Sequence, residues 1–115
     1  MSDPDCVFCK IVAGEIPAEL VRADEQFLAF HDTEPAADDH VLVIPREHHS
    51  DLDAFVTAGG SSRRMLRFVS DTATDAGIDG RYRLITNVGE AAGQAVFHLH
   101  WHLLAGTRIP GFPPY

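Results

Sequence analysis

The alternation of apolar and polar residues along the chain predicts five strands and one long helical segment. A short helix is expected over 6–13. Apolar side chains recur at helical spacing over residues 50–76, with an interruption at Gly59-Gly60. The strands are expected at residues 18–23, 26–31, 40–44, 81–87 and 96–104. This order predicts an α+β fold in which a mostly antiparallel five-stranded sheet carries the long helical segment on one face.

The candidate reactive residues lie on the last predicted strand, where His98, His100 and His102 alternate with apolar residues. A period of two places the three imidazoles on one face. Three hypotheses follow. The face is a solvated one, or the three rings share one metal ion, or they divide the work. A single ion is disfavoured because residues i and i+4 lie about 13.6 Å apart along a strand. In a division of work, His98 supports or ligates, His100 reacts and His102 contacts the substrate.

Length and charge narrow the class of protein. A chain of 115 residues predicts one domain over residues 1–115, with a proline-rich tail over about 107–115. Nine Lys and Arg against 17 Asp and Glu give a net charge of −8, which argues against a general nucleic-acid binder. The only basic cluster, Arg63, Arg64 and Arg67, is expected to be a solvated helix face. No membrane-spanning run and no signal peptide are visible, so we expect a cytoplasmic protein.

Cys6 and Cys9 form a Cys-x-x-Cys pair near the start of the chain. The pair is half of a zinc site, a redox pair, or two buried thiols. A thioredoxin-like redox pair follows a strand inside a βαβ unit, and this pair does not. We therefore rank a zinc site first, buried thiols second and redox chemistry last.

The histidine segment resembles the signature of a known family. His98-Leu-His100-Trp-His102-Leu-Leu is similar to the His-φ-His-φ-His-φ-φ motif of the histidine-triad (HIT) proteins, and specifically of the bacterial histidine-triad nucleotide-binding (Hint-like) type. Further segments of the chain resemble that family too. They are Asp5 to Pro17, Phe30 to Thr33, His40 to His48, Asn87-Val-Gly and Gly93-Gln94.

The resemblance implies a purine nucleotide-binding hydrolase. Such proteins cleave nucleoside 5′-phosphoramidates or related phosphoanhydrides through a nucleotidyl-histidine intermediate. By this resemblance His100 is the nucleophile, His102 binds an α-phosphate oxygen and His98 supports the site. Two other functions stay open: a hydrolase of the diadenosine-polyphosphate type, and a regulatory protein that binds nucleotides with little turnover. The resemblance also implies a homodimer.

The resemblance further implies the nucleotide contacts. Asp32 would bind the ribose hydroxyls, although a loop-capping carboxylate is an equal alternative. His31 and Phe8 match the wall of the base pocket, where a core role is the alternative for Phe8. The positions that match the phosphate or leaving-group loop are Asn87, Gly93 and Gln94, together with Ala95, where the family often has serine.

A structural zinc ion is the cofactor that the resemblance implies. Members with Cys-x-x-Cys complete the site with two histidines, which match His48 and His98 here, with His49 as a substitute for His48. Two thiolates and two imidazoles make a closed tetrahedral site with no open position for water. No metal is expected to take part in catalysis.

Overall fold

The computed structural model describes residues 3–109. The elements in chain order are α1 (Val7–Val12), β1 (Leu20–Ala23), β2 (Phe27–His31), β3 (Asp39–Pro45), α2 (Leu52–Thr57), α3 (Ser62–Asp75), β4 (Arg83–Ile85) and β5 (Trp101–Ala105). The strands form one antiparallel sheet in the order β1-β2-β3-β5-β4. The predicted α+β fold with a five-stranded sheet is confirmed. Among the described residues, no helix has the length and apolarity needed to cross a bilayer.

Two of the three interior strands, β2 and β3, are buried on both faces, which explains their largely apolar sequences. Phe27 and Val43 belong to the cluster that packs under α2 and α3. Leu28 and Leu42 belong to a second cluster, which packs under α1. The sheet therefore lies between two layers. The long helical segment covers one face as predicted, and the short first helix covers the other.

The helices begin where capping side chains satisfy their first N–H groups. Asp51 accepts a hydrogen bond from the N–H of Ala54 at 2.8 Å, and Ser61 accepts one from the N–H of Arg64 at 3.2 Å. The interruption expected at Gly59-Gly60 separates α2 from α3. The basic cluster of Arg63, Arg64 and Arg67 is exposed on α3, as predicted.

The last strand is shorter than the pattern predicts, because β5 begins at Trp101 and not at residue 96. Its pairing with β3 stops at Val43, two residues before Pro45. A proline has no N–H to donate to a neighbouring strand, and the carbonyl of Pro45 is taken by the His98 ring at 2.8 Å. His98 and His100 therefore precede the ladder. Of the predicted proline-rich tail over about 107–115, residues 110–115 lie outside the described residues.

At the junction of α2 and α3, Gly60 lies close to the ring of Phe55, so a substitution of Gly60 tests this packing. A Cβ built on Gly60 would lie 2.5 Å from Cζ of Phe55, a ring that is 4% exposed in the core. We predict that Gly60→Ala lowers the free energy of unfolding by about 1–3 kcal/mol, the usual cost of overpacking. The measurement is urea denaturation.

The matched control is Gly60→Ala in a Phe55→Leu background. If the phenyl ring causes the strain, the cost of the added methyl falls in that background. An unchanged cost would show that the methyl group is harmful for a reason other than this contact.

Candidate functional site

The first cluster of the site brings two thiols and two imidazoles together. Cys6 is the N-cap of α1, and Cys9 lies one turn further along. Nδ1 of His98 lies 3.3 Å from Sγ of Cys6 and 3.5 Å from Sγ of Cys9. Nδ1 of His48 lies 3.3 Å from Sγ of Cys9 and 3.2 Å from Nδ1 of His98. All four candidate ligand atoms lie within 4.8 Å of one another.

These distances fit a tetrahedral metal site. Metal–nitrogen bonds of about 2.0–2.1 Å and metal–sulfur bonds of about 2.3 Å give ligand–ligand separations of about 3.3–3.8 Å. The carbonyl of Pro45 accepts a hydrogen bond from Nε2 of His98 at 2.8 Å, so the proton of this ring is on Nε2. The lone pair on Nδ1 of His98 is then directed at the thiols. The cluster of Cys6, Cys9, His48 and His98 can therefore hold a metal ion.

The structure distinguishes His48 from the substitute ligand His49. The ring of His49 packs edge-on against Phe55 with centroids 5.3 Å apart, on the side of the sheet that α2 and α3 cover. The side chains of His48 and His49 thus contact opposite layers of the fold, and it is His48 that lies beside the thiols.

The ring of His100 is buried and has a defined orientation. Nδ1 of His100 donates to the carbonyl of His98 at 2.8 Å, and because a carbonyl only accepts, the proton must be on Nδ1. Nε2 of this ring then carries the lone pair. The ring is 8% exposed and lies against Phe8 with centroids 5.1 Å apart. Burial lowers the pKa of His100, so the ring is neutral near pH 7.

The ring of His102 lies next to that of His100, with centroids 5.0 Å apart. Its Nδ1 is 2.9 Å from Nε2 of His40. Burial, followed by the neighbouring rings of His100 and His40, lowers the pKa of His102 to about 4. The three triad rings thus lie on the α1 side of the sheet. The hypothesis of a solvated imidazole face is wrong, since His98 is fully buried and His100 nearly so.

Asp32 and His31 line a shallow cavity of about 350 Å³ at the end of β2. The carboxylate of Asp32 accepts a hydrogen bond from the N–H of Glu34 at 2.9 Å, so it caps its loop. Its second oxygen is 3.5 Å from Nε2 of His40. Phe8 is not part of this cavity lining; it is 7% exposed and packs from α1 into the second core cluster.

The loop before the triad is held by the side chain of Gln94, which is 3% exposed. Its Oε1 accepts from the N–H of Gly89 at 2.9 Å. Its Nε2 donates to the carbonyls of Ser50 at 2.7 Å and Val96 at 3.0 Å. Both donor hydrogens of the amide are therefore committed to the backbone, which leaves Gln94 as a residue that shapes the loop.

Gly93 adopts a left-handed conformation in this loop, with φ of +96°. A Cβ on this residue would lie 3.9 Å from Nδ2 of Asn87. Asn87 and Gly93 are thus brought together, as their shared assignment to the loop predicts, and the conformation explains why a glycine is needed there.

The family resemblance matches His40 to a histidine behind the triad, although His40 is not among the predicted site residues. The structure places it 6% exposed at the start of β3, with its ring against His102. The signal in the sequence is a histidine in register with Leu42 and Ile44, directly before the apolar run of residues 41–45. Thr86 was missed as well; its hydroxyl donates to the carbonyl of His100 at 2.7 Å.

Comparison with known proteins places this arrangement in a family. The family model described as the HIT domain matches residues 13–109. A HIT-like protein of Rickettsia prowazekii is 38% identical over 114 residues, which cover 96% of this chain and 95% of the relative.

Solved structures agree with the sequence matches. A HIT family hydrolase from Clostridium thermocellum superimposes with a TM-score of 0.82 at 41% identity and covers 96% of this chain and 98% of its own. A histidine triad nucleotide-binding protein from Candida albicans gives 0.75 at 29% identity, with coverage of 96% and 85%. The extent of these matches, together with the arrangement of the three histidines, establishes that the chain belongs to the HIT domain family.

Proposed function

We propose that this protein is a purine nucleotide-binding hydrolase that cleaves nucleoside 5′-phosphoramidates or related phosphoanhydrides through a covalent intermediate on His100. The observation that carries the proposal is the orientation of this ring. The carbonyl of His98 holds the proton on Nδ1, and the neutral ring presents the lone pair of Nε2. The names of the two structural relatives, a hydrolase and a nucleotide-binding protein, support the same class.

The reaction consists of two displacements at the α-phosphorus. Nε2 of His100 attacks the phosphorus and the bond to the leaving nitrogen or oxygen breaks. The leaving group keeps the electron pair, and a nitrogen leaving group takes up a proton from solvent as it departs. Water then attacks the same phosphorus and gives up a proton to solvent, the electron pair of the P–N bond returns to Nε2, and the nucleoside monophosphate is released. A neutral imidazole suits both steps because it is a nucleophile without prior loss of a proton and a good leaving group when it has been phosphorylated.

His102 stabilises the charge that develops on the phosphoryl oxygens. Its ring lies beside the nucleophile, with the centroid 5.0 Å from that of His100, so one α-phosphate can meet both rings. His98 acts through its carbonyl and does not touch the substrate. The bound nucleotide contacts His102 directly, whereas His98 belongs to the support.

The nucleoside lies along the cavity at the end of β2, where Asp32 accepts hydrogen bonds from the ribose hydroxyls and His31 meets the base. Phe8 contributes indirectly, because its ring supports His100 from beneath. The loop of Asn87 and Gly93 holds the phosphate end, with its shape fixed by Gln94. Ala95 offers no hydroxyl to the leaving group at the position where the family often has serine.

The metal that best fits the Cys6, Cys9, His48 and His98 cluster is zinc, because a set of two thiolates and two imidazoles in tetrahedral array is a soft-to-borderline donor set. Because the protein supplies all four positions, a bound ion would have a structural role. It would tie α1 to the segment that precedes β5 and leave His100 and His102 for the phosphate.

The first prediction concerns the nucleophile. We expect His100→Ala to abolish hydrolysis of an adenosine 5′-phosphoramidate and to prevent labelling of the protein by radioactive nucleotide in a single-turnover, acid-quenched experiment. Thermal melting of the variant controls for folding, because the ring is buried. Retention of more than about a hundredth of kcat, a barrier change below about 2.7 kcal/mol, contradicts the assignment. Faster cleavage of a dinucleoside polyphosphate would move the protein to the alternative substrate class.

The second prediction concerns the ribose. Asp32→Ala is expected to weaken adenosine monophosphate binding by roughly 1.5–3 kcal/mol, the range for hydrogen bonds to a charged group. Asp32→Asn is the matched control, because it keeps an oxygen for the N–H of Glu34. Calorimetric titration with ribo- and 2′,3′-dideoxy nucleotides gives the readout. Equal affinity of the wild type for both ligands would show that Asp32 only caps its loop.

The third prediction concerns the metal. We expect one zinc ion per chain by elemental analysis and a lower melting temperature after chelation, since an ion that binds only the folded state stabilises it. His49→Ala is the matched control for His48→Ala, and only the latter should reduce the zinc content. A metal-replete preparation with less than about a tenth of an equivalent would leave Cys6 and Cys9 as buried thiols.

A further inference from the structure

A groove lined by four arginines lies between α3 and the β1–β2 turn, on the side of the sheet that α2 and α3 cover. Its volume is about 760 Å³, and the four arginines are Arg22, Arg63, Arg64 and Arg67. They are four of the nine basic residues in a chain of net charge −8, whereas the described acidic residues of the same lining are Asp24 and Asp71. This arginine groove is therefore a locally positive surface on an acidic protein, and the triad lies on the opposite side of the sheet.

The charges along α3 are arranged against the electrostatics of a helix. Arg63 and Arg64 lie in its first turn, which holds no acidic residue, whereas Asp71 and Asp75 lie in its C-terminal half. The N-terminal end of a helix carries partial positive charge, so cations there lower its stability. Like charges four residues apart, as in Arg63 and Arg67, lower it further. The stability of the helix itself therefore gives no reason for arginines at these positions.

The aspartates of α3 have a partner inside the fold. The carboxylate of Asp75 lies 2.7 Å from Nη1 of Arg22, and that of Asp71 lies 3.6 Å from Nη2 of the same residue. Arg22 belongs to β1, so these two ion pairs attach α3 to the edge strand of the sheet. The acidic residues in the second half of the helix are thus explained by a contact within the protein.

The arginines in the first half of the helix differ in this respect. Arg64 donates to Oε1 of Gln26 at 3.2 Å. Arg63 and Arg67 are exposed, and neither guanidinium makes a hydrogen bond or an ion pair with another residue in the described part of the chain. Arg67 lies four residues before Asp71, a spacing that favours an ion pair, but Asp71 is already paired with β1. Two guanidinium groups are therefore left for a partner outside the chain.

We infer that the arginine groove binds an acidic peptide segment of a partner protein, with Arg63 and Arg67 paired to carboxylates on alternate residues of an extended chain. A planar guanidinium donates two parallel hydrogen bonds to a carboxylate, which a lysine ammonium does not. Four residues of an α-helix rise about 6.0 Å. Successive side chains on one face of an extended chain are about 6.6 Å apart. Alternate acidic residues therefore match the spacing of the two unpaired arginines.

The chemistry of the groove favours a peptide over a nucleic acid. The described lining has one aromatic ring, that of Phe68, which is 3% exposed and lies 5.9 Å from Cζ of Arg22. The lining thus offers no accessible ring for stacking on a base. Asp24 and Ser70 also line the groove. Their oxygen acceptors suit the N–H groups of a peptide backbone, whereas phosphodiester groups offer no donor.

The test is a binding titration of the whole protein, followed by the fluorescence anisotropy of a labelled peptide in which glutamate alternates with glycine. About eight residues suffice, because an extended chain at about 3.3 Å per residue then spans the 14 residues of α3. We expect saturable binding that weakens by about 3- to 10-fold when the salt concentration rises from about 50 to about 200 mM. A peptide with glutamine in place of glutamate should not bind. Absence of saturation at about 1 mM of the acidic peptide overturns the inference.

Two double variants separate the groove from the net charge of the protein. Arg63→Gln with Arg67→Gln should weaken peptide binding by about 10-fold or more, since both unpaired guanidinium groups are removed. Arg81→Gln with Arg108→Gln is the matched control, because it removes the same charge from exposed positions outside the groove lining. The control should change the affinity by less than about twofold. An equal loss in both double variants would show that only the overall charge matters, which overturns the inference.

A single substitution tests whether Arg63 is retained at the expense of the stability of α3. Arg63→Glu places a carboxylate in the first turn, four residues before Arg67. We expect a melting temperature higher by about 2–5 °C together with loss of peptide binding. Arg108→Glu makes the same change of net charge at an exposed position beyond β5 and should leave both quantities unchanged. A lower melting temperature for Arg63→Glu would show that Arg63 stabilises the helix, and the inference would be overturned.

Competition in the same titration identifies the other possible occupant. Displacement of the peptide by inorganic polyphosphate or by a single-stranded oligonucleotide, at a lower concentration than unlabelled peptide requires, would show a phosphate-binding surface, and the peptide assignment would be wrong. Nucleotide labelling of His100 should be equal in the wild type and in the Arg63→Gln, Arg67→Gln variant, because the groove and the triad lie on opposite sides of the sheet. The inference can thus fail while the proposed function holds, and the reverse.

Discussion

The site depends on two hydrogen bonds made by one residue, His98. Its ring donates to the carbonyl of Pro45, and its carbonyl accepts the ring proton of His100. Both hydrogen bonds are buried, and an unpaired buried polar group is costly. Neither imidazole ring can therefore flip without losing its hydrogen-bond partner. One residue thereby directs its own Nδ1 lone pair at the thiols of α1 and keeps the lone pair of His100 on Nε2. The cluster of Cys6, Cys9, His48 and His98, which can hold a metal ion, and the candidate nucleophile are two ends of a single chain of contacts.

The packing on both faces of the sheet explains how His98 and His100 are held in defined positions although they do not lie in a regular strand. His98 and His100 precede the ladder of β5, yet Leu99 between them is 1% exposed in the core and its N–H donates to the carbonyl of His49 at 2.7 Å. The segment is fixed by a buried side chain, one backbone bond and the imidazoles on either side. Such a segment can orient rings more freely than a pleated strand, which spaces alternate side chains evenly.

Much of this arrangement was visible in the sequence because it is local. The strand pattern, the break at Gly59-Gly60 and the pairing of Cys6 with Cys9 follow from periodicity and spacing. The start of β5 could not be predicted from the local sequence, because it depends on Pro45 in the neighbouring strand β3. Pro45 lies more than 50 residues away along the chain and ends the hydrogen bonding of β3 with β5. The ring direction of His48 against His49 and the contact of His40 with His102 likewise depend on packing between layers. The spacing of residues along a single strand does not reveal contacts between layers of the fold.

The separation of the cluster's ligands along the chain has a consequence for the unfolded state. Cys6 and His98 are 92 residues apart, so an ion bound by both closes a loop that spans most of the protein. A link of this kind restricts the denatured chain as a long-range covalent bridge does. Because the entropy of closure grows only with the logarithm of loop length, insertions in the surface turns between these residues would change it little. The lengths of those turns could therefore vary with little effect on the stabilisation that such an ion would provide.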